Sequence, residues 1–170
     1  MSFYKIQNGL MVEGRIIDVE DTTTDQTVET TDLESRNKTL VRRYVDELLN
    51  KRNYTRAYEI ITPDFTSYDN GQEAPHKGID LFKSEDEAED SDSLSELVLT
   101  IEEMVVEGNT VVIRWCDTAQ YTPSGPKDDT LRPKPLKWYG MSLYRIENGR
   151  IVEGHVMNDM NTIQKQIDEY

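Results

Sequence analysis

The sequence predicts an α+β domain in which helices come first and a curved, mostly antiparallel sheet follows, with an additional β-hairpin at the N-terminus. Three observations lead to this fold class. Apolar residues recur at helical spacing between residues 34 and 51, alternating apolar segments follow one another from residue 94 to residue 157, and the first fourteen residues recur near the other end of the chain. A long helix packed across one face of a curved sheet leaves a pocket on the concave side.

The repeat is the most specific feature of the sequence. Residues 1–14 (MSFYKIQNGLMVEG) and residues 141–154 (MSLYRIENGRIVEG) are identical at nine of fourteen positions. Each copy has Asn-Gly between two alternating apolar runs. This pattern is typical of a hairpin with a type I′ turn, because that turn needs positive φ at both central residues. We therefore predict an extra hairpin at residues 1–17 that duplicates residues 141–157.

Between this hairpin and the main domain, the sequence carries acids and threonines without apolar periodicity. Residues 18–33 are therefore predicted to be a linker, since they cannot bury enough apolar surface to offset the entropy of ordering. Residues 34–170 then form the main domain.

The helical part of the domain is predicted from two patterns. Residues 34–51 form one amphipathic helix whose apolar stripe consists of Leu40, Val41, Tyr44, Val45, Leu48 and Leu49. Residues 56–61 form a shorter helix that ends before Pro63, because the residue preceding proline avoids the α region. A short strand at residues 65–68 follows, and a short helix is opened by Ile79, Leu81 and Phe82.

Four successive strands are predicted in the second half of the chain. They span residues 94–106, 110–121, 136–146 and 150–157, with glycine turns at residues 107–109 and 148–149 and a long, proline-rich connection at residues 122–135. Asn158 or Asp159 then caps a last helix that carries Met160, Ile163 and Ile167.

The composition excludes several classes of partner. The formal net charge is −14, and the longest basic cluster is Arg42-Arg43, so the chain lacks the basic face that phosphate backbones require. Residues 84–92 (SEDEAEDSD) lack the glycine and the ligand spacing of a calcium loop. The two histidines and the single cysteine show no metal-ligand spacing. We expect no nucleic acid, no metal and no organic cofactor.

The same composition predicts a cytoplasmic protein that does not enter the membrane. No apolar run approaches the roughly 18 residues that a membrane helix needs, and the N-terminus is too polar for a signal peptide. The lone Cys116 excludes an intramolecular disulfide and is expected to be a buried thiol.

From Asn37 onward the chain resembles the SnoaL-like polyketide cyclases of the nuclear transport factor 2-like superfamily. The matching segments are NKTLVRRYVDELLNKRNYTRAYEIITPDF, IEEMVVEGNTVVIRW and WYGMSLYRIENGRIVEGHVMND. The resemblance implies a cone-shaped barrel around an apolar pocket, dimerisation through the sheet, and ring closure by a carboxylate acid/base without metal or cofactor. The chain departs from the family pattern where it has Tyr68 and Tyr121, and where His155 stands one position later than the family's histidine.

Three residues are candidates for acid/base catalysis: Asp159, His155 and Asp117. Asp159 stands where many family members carry an aspartate, and the same position suits a helix N-cap. His155 shares a strand face with Glu153 and Met157, which favours a surface or interface position if the opposite face is the buried one.

The position of Asp117 depends on which face of its strand is turned inward. Asp117 shares a face with Trp115, and Arg114 shares the other face with Cys116. If Trp115 faces the pocket, Asp117 lines its mouth; if Cys116 does, Arg114 enters instead. The other candidates for the pocket lining are aromatic, with the core as their alternative position, and they are Tyr68, Phe82, Tyr121, Trp138 and Tyr139. His76 is expected to be exposed.

Two functions remain open at this stage. The first is a cofactor-independent cyclase or isomerase that acts on a small apolar carbonyl compound by acid/base catalysis in an enclosed pocket. The second is a non-catalytic module of the same fold that binds a small apolar ligand or serves for dimerisation. Both predict a homodimer, because an open curved sheet exposes apolar area that a second copy can cover.

Overall fold

The computed structural model describes residues 2–7, 10–16, 24–71, 76–78, 82, 94–122 and 132–169. By its internal contacts the chain divides into two compact units, Met1–Thr31 and Asp32–Tyr170.

The first unit contains the predicted N-terminal hairpin, with strands β1 (Ser2–Gln7) and β2 (Leu10–Ile16) paired antiparallel. Its register repeats that of the C-terminal hairpin 140 residues later. Tyr4 pairs with Gly14 as Tyr144 pairs with Gly154, and each hairpin has its bulge at the same place, after Lys5 in one and after Arg145 in the other. The repeat in sequence is therefore also a repeat in backbone pairing, while the first Asn-Gly turn lies outside the described residues.

The long helix begins earlier than the sequence predicts. Helix α1 covers Thr24–Arg43 and continues as a π-helical segment over Tyr44–Asn50. Residues 24–33, which the composition predicts to be linker, are therefore helical. The physical reason is that extending a helix adds one hydrogen bond for each residue that it orders, so an apolar stripe farther along can nucleate a helix that grows into polar sequence.

The second predicted helix is shorter than expected. A 3₁₀ turn at Tyr54–Arg56 leads into helix α2, Ala57–Ile60, and strand β3 begins at once and covers Ile61–Asp69. Pro63 lies within β3, where the pairing with the neighbouring strand shifts between Ile61 and Thr66. Proline has no N–H to donate, so it is tolerated where the ladder is interrupted.

Among the described residues, the sheet of the second unit has six strands in the order β4-β3-β8-β7-β6-β5. Strand β3 runs parallel to β8 and the other neighbours are antiparallel. Helices together with a curved, mostly antiparallel sheet confirm the predicted α+β class. The sheet stays open, so its strands do not close into a complete barrel. The remaining elements are β4 (His76–Lys77), β5 (Leu94–Glu107), β6 (Thr110–Tyr121), β7 (Lys134–Glu147), β8 (Arg150–Asn158) and helix α3 (Met160–Asp168).

The turn between β7 and β8 has the predicted conformation, since Asn148 and Gly149 have φ of 49° and 74°. The core lies between one face of the sheet and the apolar stripe of the long helix, of which Leu40, Val41, Tyr44, Val45 and Leu48 are buried. Cys116 is a free, buried thiol, as predicted. In the described ranges, no helix is long and apolar enough to span a bilayer.

Candidate active site

A cavity of about 220 Å³ lies between the π-helical segment and the buried face of the sheet. Five strands, β3 and β5 to β8, and the π-helical segment contribute to its walls. The described residues that line it are Tyr44, Leu49, Asn50, Arg52, Ser67, Asp69, Phe82, Leu97, Leu99, Trp115, Asp117, Ser142, Tyr144, Val156 and Asn158. Its lining therefore combines aromatic and aliphatic side chains with a few polar groups, which is typical of small-molecule sites.

Strand β6 turns Trp115 and Asp117 towards this cavity. Along β6 the fully buried side chains alternate, and Val111, Ile113 and Trp115 share the face of Asp117. Arg114 points to the other face, where it forms ion pairs with Glu102 and Glu103. Of the two orientations that the sequence leaves open, the structure has the one in which Asp117 lines the pocket, and Arg114 is not a pocket residue.

Asp117 is an ionisable group with little compensation for its burial. Asp117 is only 8% exposed, and its Oδ1 atom has no hydrogen-bond partner among the described residues. Burial disfavours the charged carboxylate and raises the pKa of Asp117 to about 7. A carboxyl group that titrates near neutral pH can accept a proton from a substrate and return it under ordinary conditions.

Hydrogen-bonding groups stand on the adjacent strand of the same cavity. Trp115 Nε1 donates to Ser142 Oγ over 2.9 Å, and Ser142 is also hydrogen-bonded to the Tyr144 hydroxyl. Burial, together with the nearby Asp117 and Asp69, raises the pKa of Tyr144 to about 12 although its bond to Ser142 opposes this shift. The Tyr144 phenol therefore stays protonated and remains a donor at acidic, neutral and mildly alkaline pH.

The end of the π-helical segment is held against the sheet opposite Asp117. The Asn50 side chain accepts from Leu99 N over 2.8 Å and donates to Leu99 O over 2.9 Å, and Leu99 pairs with Asp117 across β5 and β6. Two residues later, Arg52 has φ of 50°, a left-handed conformation that costs a non-glycine residue about 1–2 kcal/mol. Arg52 lines the cavity in this conformation.

The other predicted catalytic residues lie elsewhere. His155 is exposed on the outer face of β8, where its ring stacks on Tyr68 at 4.8 Å and its Nε2 lies 2.9 Å from Glu153 Oε1. This is the surface position that strand alternation favours. Neither His155 nor Tyr68 is among the residues that line the cavity.

Asp159 caps helix α3. Its carboxylate accepts from Thr162 N over 3.1 Å and from Thr162 Oγ1, and these hydrogen bonds lower the pKa of Asp159. The capping role that the sequence allows is therefore the observed one, and Asp159 does not line the cavity.

We expect Asp159→Ala to lower the melting temperature by a few degrees, because the variant loses a helix cap outside the cavity. Since the folded-state pKa of Asp159 is lowered, the charged cap stabilises the protein above the unfolded-state pKa, and this contribution is lost as the pH falls through the folded-state value. Thermal unfolding of the wild type and of Asp159→Ala at neutral and acidic pH measures the contribution of the charged cap. Asp159→Ser, which keeps a capping oxygen, is the control; an equal loss in both variants would contradict the cap.

The predicted aromatic lining is only partly observed. Phe82 and Trp115 line the cavity, Trp138 is buried in the core beside it, and Tyr121 packs against the core. Tyr139 is exposed on the outer face, with Lys137 Nζ 5.3 Å from its ring centre. His76 is exposed, 3.7 Å from an Asp69 carboxylate oxygen. No group of three or more potential metal ligands occurs within the described ranges.

Several residues of the cavity were not predicted from the sequence. Ser142 carries the clearest signal, because it is a polar residue on the strand face that holds Trp138, Tyr144 and Ile146. A lone hydroxyl among buried apolar side chains indicates a hydrogen-bonding role. Asn50, Arg52 and Asp69 gave no such signal, since they belong to segment ends whose direction depends on tertiary contacts.

Comparison with known proteins agrees with this architecture. Residues 39–167 match the family described as SnoaL-like polyketide cyclase. In the comparison with curated proteins, none matches the chain.

Solved structures share the fold at low sequence identity. A protein from Jannaschia sp. CCS1 assigned as a SnoaL-like polyketide cyclase is 20% identical over 86% of this chain and 96% of its own, with a TM-score of 0.61. AclR from Streptomyces galilaeus, assigned as a hydroxylase, is 17% identical over 81% and 98%, with a TM-score of 0.61. An LEH-like epoxide hydrolase from M. tuberculosis is 11% identical over 78% and 89%, with a TM-score of 0.58. Because the family match spans most of the chain and the same cone fold recurs in these structures, the chain belongs to the SnoaL-like polyketide cyclase family.

Proposed function

We propose that the protein is a cofactor-independent cyclase or isomerase that acts on a small apolar carbonyl compound, with Asp117 as the general base. The observation that carries the proposal is the buried carboxyl of Asp117 in the cavity, with its pKa raised to about 7 by burial. A base that titrates near the working pH combines a useful ionised fraction with a useful driving force for proton transfer.

The reaction step follows from this group. Ionised Asp117 takes a proton from the carbon next to the carbonyl, the C–H electron pair forms the enolate, and the negative charge moves to the carbonyl oxygen. Where a C=C bond is conjugated with the enolate, the enolate takes the proton back from Asp117 at the far carbon, which is an isomerisation. Alternatively it attacks a second carbonyl carbon of the same molecule, which closes a ring, and the alkoxide formed there takes the proton from Asp117. Both outcomes conserve all atoms and electrons and need no oxidant or reductant.

The surroundings of Asp117 support such chemistry. The Tyr144 phenol, which is 2% exposed and stays protonated, can donate to an oxygen that gains charge. Trp115 and Phe82 offer apolar surface for the body of the substrate. Asp159 and His155 are less suited to the role of base, because Asp159 is occupied as a helix cap and His155 is exposed on the outer face of the sheet.

Deuterium incorporation tests the proposal without knowledge of the natural substrate. We expect the protein to speed the exchange of the α-protons of 2-tetralone, a small apolar ketone, in D₂O, because removal of an α-proton is the step assigned to Asp117. Loss of the α-proton signal in NMR spectra measures the rate. His155→Gln is the matched control, since it removes a titratable group outside the cavity and should exchange at the wild-type rate.

The binding-module alternative makes the opposite prediction. A protein that binds 2-tetralone and related ketones without speeding exchange above the buffer rate would be a ligand carrier of this fold, and the proposed function would be wrong. A cavity lined by apolar atoms alone would favour that alternative, whereas here Asp117 and Ser142 contribute polar atoms.

Association into a homodimer remains a prediction. The outer face of the sheet carries exposed apolar side chains that a second copy could cover, among them Val105, Tyr139, Met141 and Met157. A cytoplasmic location and a small apolar ligand as partner likewise remain predictions from the sequence.

A further inference from the structure

The register of the sheet determines which side chains surround the Asp117 carboxyl. Asp117 lies opposite Leu99 of β5 and opposite Trp138 of β7. Residues that stand opposite each other in an antiparallel pair share a face of the sheet, and their Cβ atoms lie about 4.5–5.5 Å apart. Trp115 and Ala119 flank Asp117 on the same face of its own strand, because side chains alternate along a strand. The carboxyl is therefore surrounded within the sheet by aliphatic and aromatic side chains.

Leu99 differs from the other three neighbours in its exposure. Trp115, Trp138 and Ala119 are buried in the core, whereas Leu99 is half-buried and packs against the core from outside. Strand β5 is the last strand of the sheet among the residues that the structure describes. Leu99 is thus the neighbour that stands between the carboxyl and the solvent at the edge of the sheet.

Asn50 fixes Leu99 in this place from the open edge of β5. Leu99 N donates to Asn50 Oδ1 over 2.8 Å, and Asn50 Nδ2 donates to Leu99 O over 2.9 Å. Both backbone groups of Leu99 therefore point away from β6. In an antiparallel ladder such a residue belongs to a non-hydrogen-bonded pair, in which the Cα atoms are only about 4.5 Å apart and the side chains are closest. The hydrogen bonds of Asn50 thus hold Leu99 directly against Asp117.

The ionisable groups of the cavity do not explain the state of Asp117. Strand β5 contributes only Leu97 and Leu99 to the described lining. Burial raises the pKa of Asp117 to about 7, and no charged neighbour is among the causes of this rise. The apolar neighbours of the carboxyl are therefore what matters for its titration. The described ionisable side chains that line the same cavity are Arg52, Asp69 and Tyr144.

We propose that Leu99 is a positioning residue for the base: held by Asn50 at the edge of the sheet, it keeps water away from the Asp117 carboxyl. This inference rests on the proposed function, in which Asp117 removes the proton. Water or a polar side chain beside the carboxyl stabilises its charged form and makes it a weaker base. Leu99 therefore sets the pH at which the base becomes active.

Leu99→Asn tests this role, because asparagine is close to leucine in size and brings N–H donors to the carboxyl. We expect this variant to lower the midpoint of the Asp117 titration by about 1–2 pH units. Asn50→Ala removes both hydrogen bonds to Leu99 and should lower the midpoint by about 0.5 pH unit or more. The chemical shift of the carboxyl carbon in NMR spectra of labelled protein measures the midpoint, and the absence of its signal from Asp117→Asn assigns it.

Two control variants separate this effect from a general change in the strand. Val98→Asn makes a similar change one residue earlier on β5, at an exposed position outside the described lining of the cavity, and should keep the wild-type midpoint. Leu99→Met stays apolar at nearly the same volume and should also keep it. An unchanged midpoint in Leu99→Asn or in Asn50→Ala, or an equal fall in Val98→Asn, would overturn the assignment.

The titration needs no turnover, so it is independent of the proposed function. Where Asp117 is the base, the pH profile of 2-tetralone exchange should move with the midpoint in Leu99→Asn. A midpoint that falls while the exchange profile stays would reject Asp117 as the base and leave Leu99 as the residue that excludes water from it. Asn50 lies outside the core, so Asn50→Ala provides the test even if Leu99→Asn does not fold, which thermal unfolding of each variant shows.

Discussion

Asp117→Asn is expected to reduce α-proton exchange about 10²- to 10⁴-fold, the range that a positioned general base contributes. Asparagine keeps the size of the side chain and cannot accept the proton. In the wild-type protein, kcat/KM should rise about tenfold per pH unit below pH 7 and reach a plateau above it, because the ionised form of Asp117 is the active one. The variant should show no such step.

The same substitution should stabilise the protein at alkaline pH. The pKa of Asp117 rises from an ordinary value of 3.8 to about 7 in the folded state, so between these values the unfolded chain loses its proton while the folded chain keeps it. The unfolded state then binds fewer protons, and the free energy of unfolding of the wild type falls as the pH rises through this window. At about 1.4 kcal/mol per pKa unit, the free energy of unfolding of Asp117→Asn should exceed that of the wild type by up to about 4 kcal/mol above pH 7. Below pH 4 the two proteins should be equally stable.

Denaturant unfolding of both proteins at several pH values measures this difference. Asp64→Asn is the control, since it removes one negative charge from an exposed position on β3 and so measures the effect of the lost charge without a change in burial. Asp117→Asn with wild-type exchange would exclude Asp117 as the base. An equal stability of the variant and the wild type at pH 8 would show that the carboxyl is not desolvated.

Gly140→Ala is expected to destabilise the protein by about 3 kcal/mol, which lowers the melting temperature by roughly 6–12 °C. A Cβ at Gly140 would lie 2.2 Å from Trp115 Cζ2 and 2.5 Å from Met157 O. Trp115 is buried and bonded to Ser142, and Met157 O belongs to the neighbouring strand, so neither can move away at low cost. In a strand, alanine is otherwise more favourable than glycine. The loss of stability is therefore a measure of the steric clash at Gly140.

The clash should also alter the cavity, because the ring that it displaces forms part of the wall. Gly154→Ala is the matched control on the adjacent strand: its Cβ would lie 3.4 Å from the rings of Phe65 and Tyr144, and the change should cost less than about 1 kcal/mol. Calorimetry of the two variants compares them directly. In a Trp115→Phe background, Gly140→Ala should cost less than in the wild type; an unchanged cost would contradict a clash with the indole ring.

Much of the fold could be predicted from local pattern. Apolar periodicity identified the helix that contains Leu40 and Leu48, and period-two alternation identified the four strands from β5 to β8 within a few residues. The helix start at Thr24 was missed because polar sequence can extend a helix that is nucleated elsewhere. Strand β4 was missed because two residues carry no periodicity.

The candidate site was predictable only as alternatives. Alternation placed Asp117 with Trp115 and Arg114 with Cys116, and it left open which pair faces inward. Asp159 and His155 were candidates by residue type, with a helix cap and a surface position as their alternatives, and their roles were decided by Thr162 and Glu153, the side chains that they meet.

The sequence by itself determined the α+β class, the duplicated hairpin and the pairing of residues on each strand face, because these depend on spacing along the chain and on the conformations that Asn-Gly and proline allow. Tertiary structure alone decided which face of β6 is buried, and so made Asp117 a desolvated carboxyl near neutral pKa while Arg114 became a surface ion-pair partner. It also decided that Arg52 joins the cavity wall. Burial and the approach of distant segments are properties of the packed molecule, and no local pattern of residues contains them.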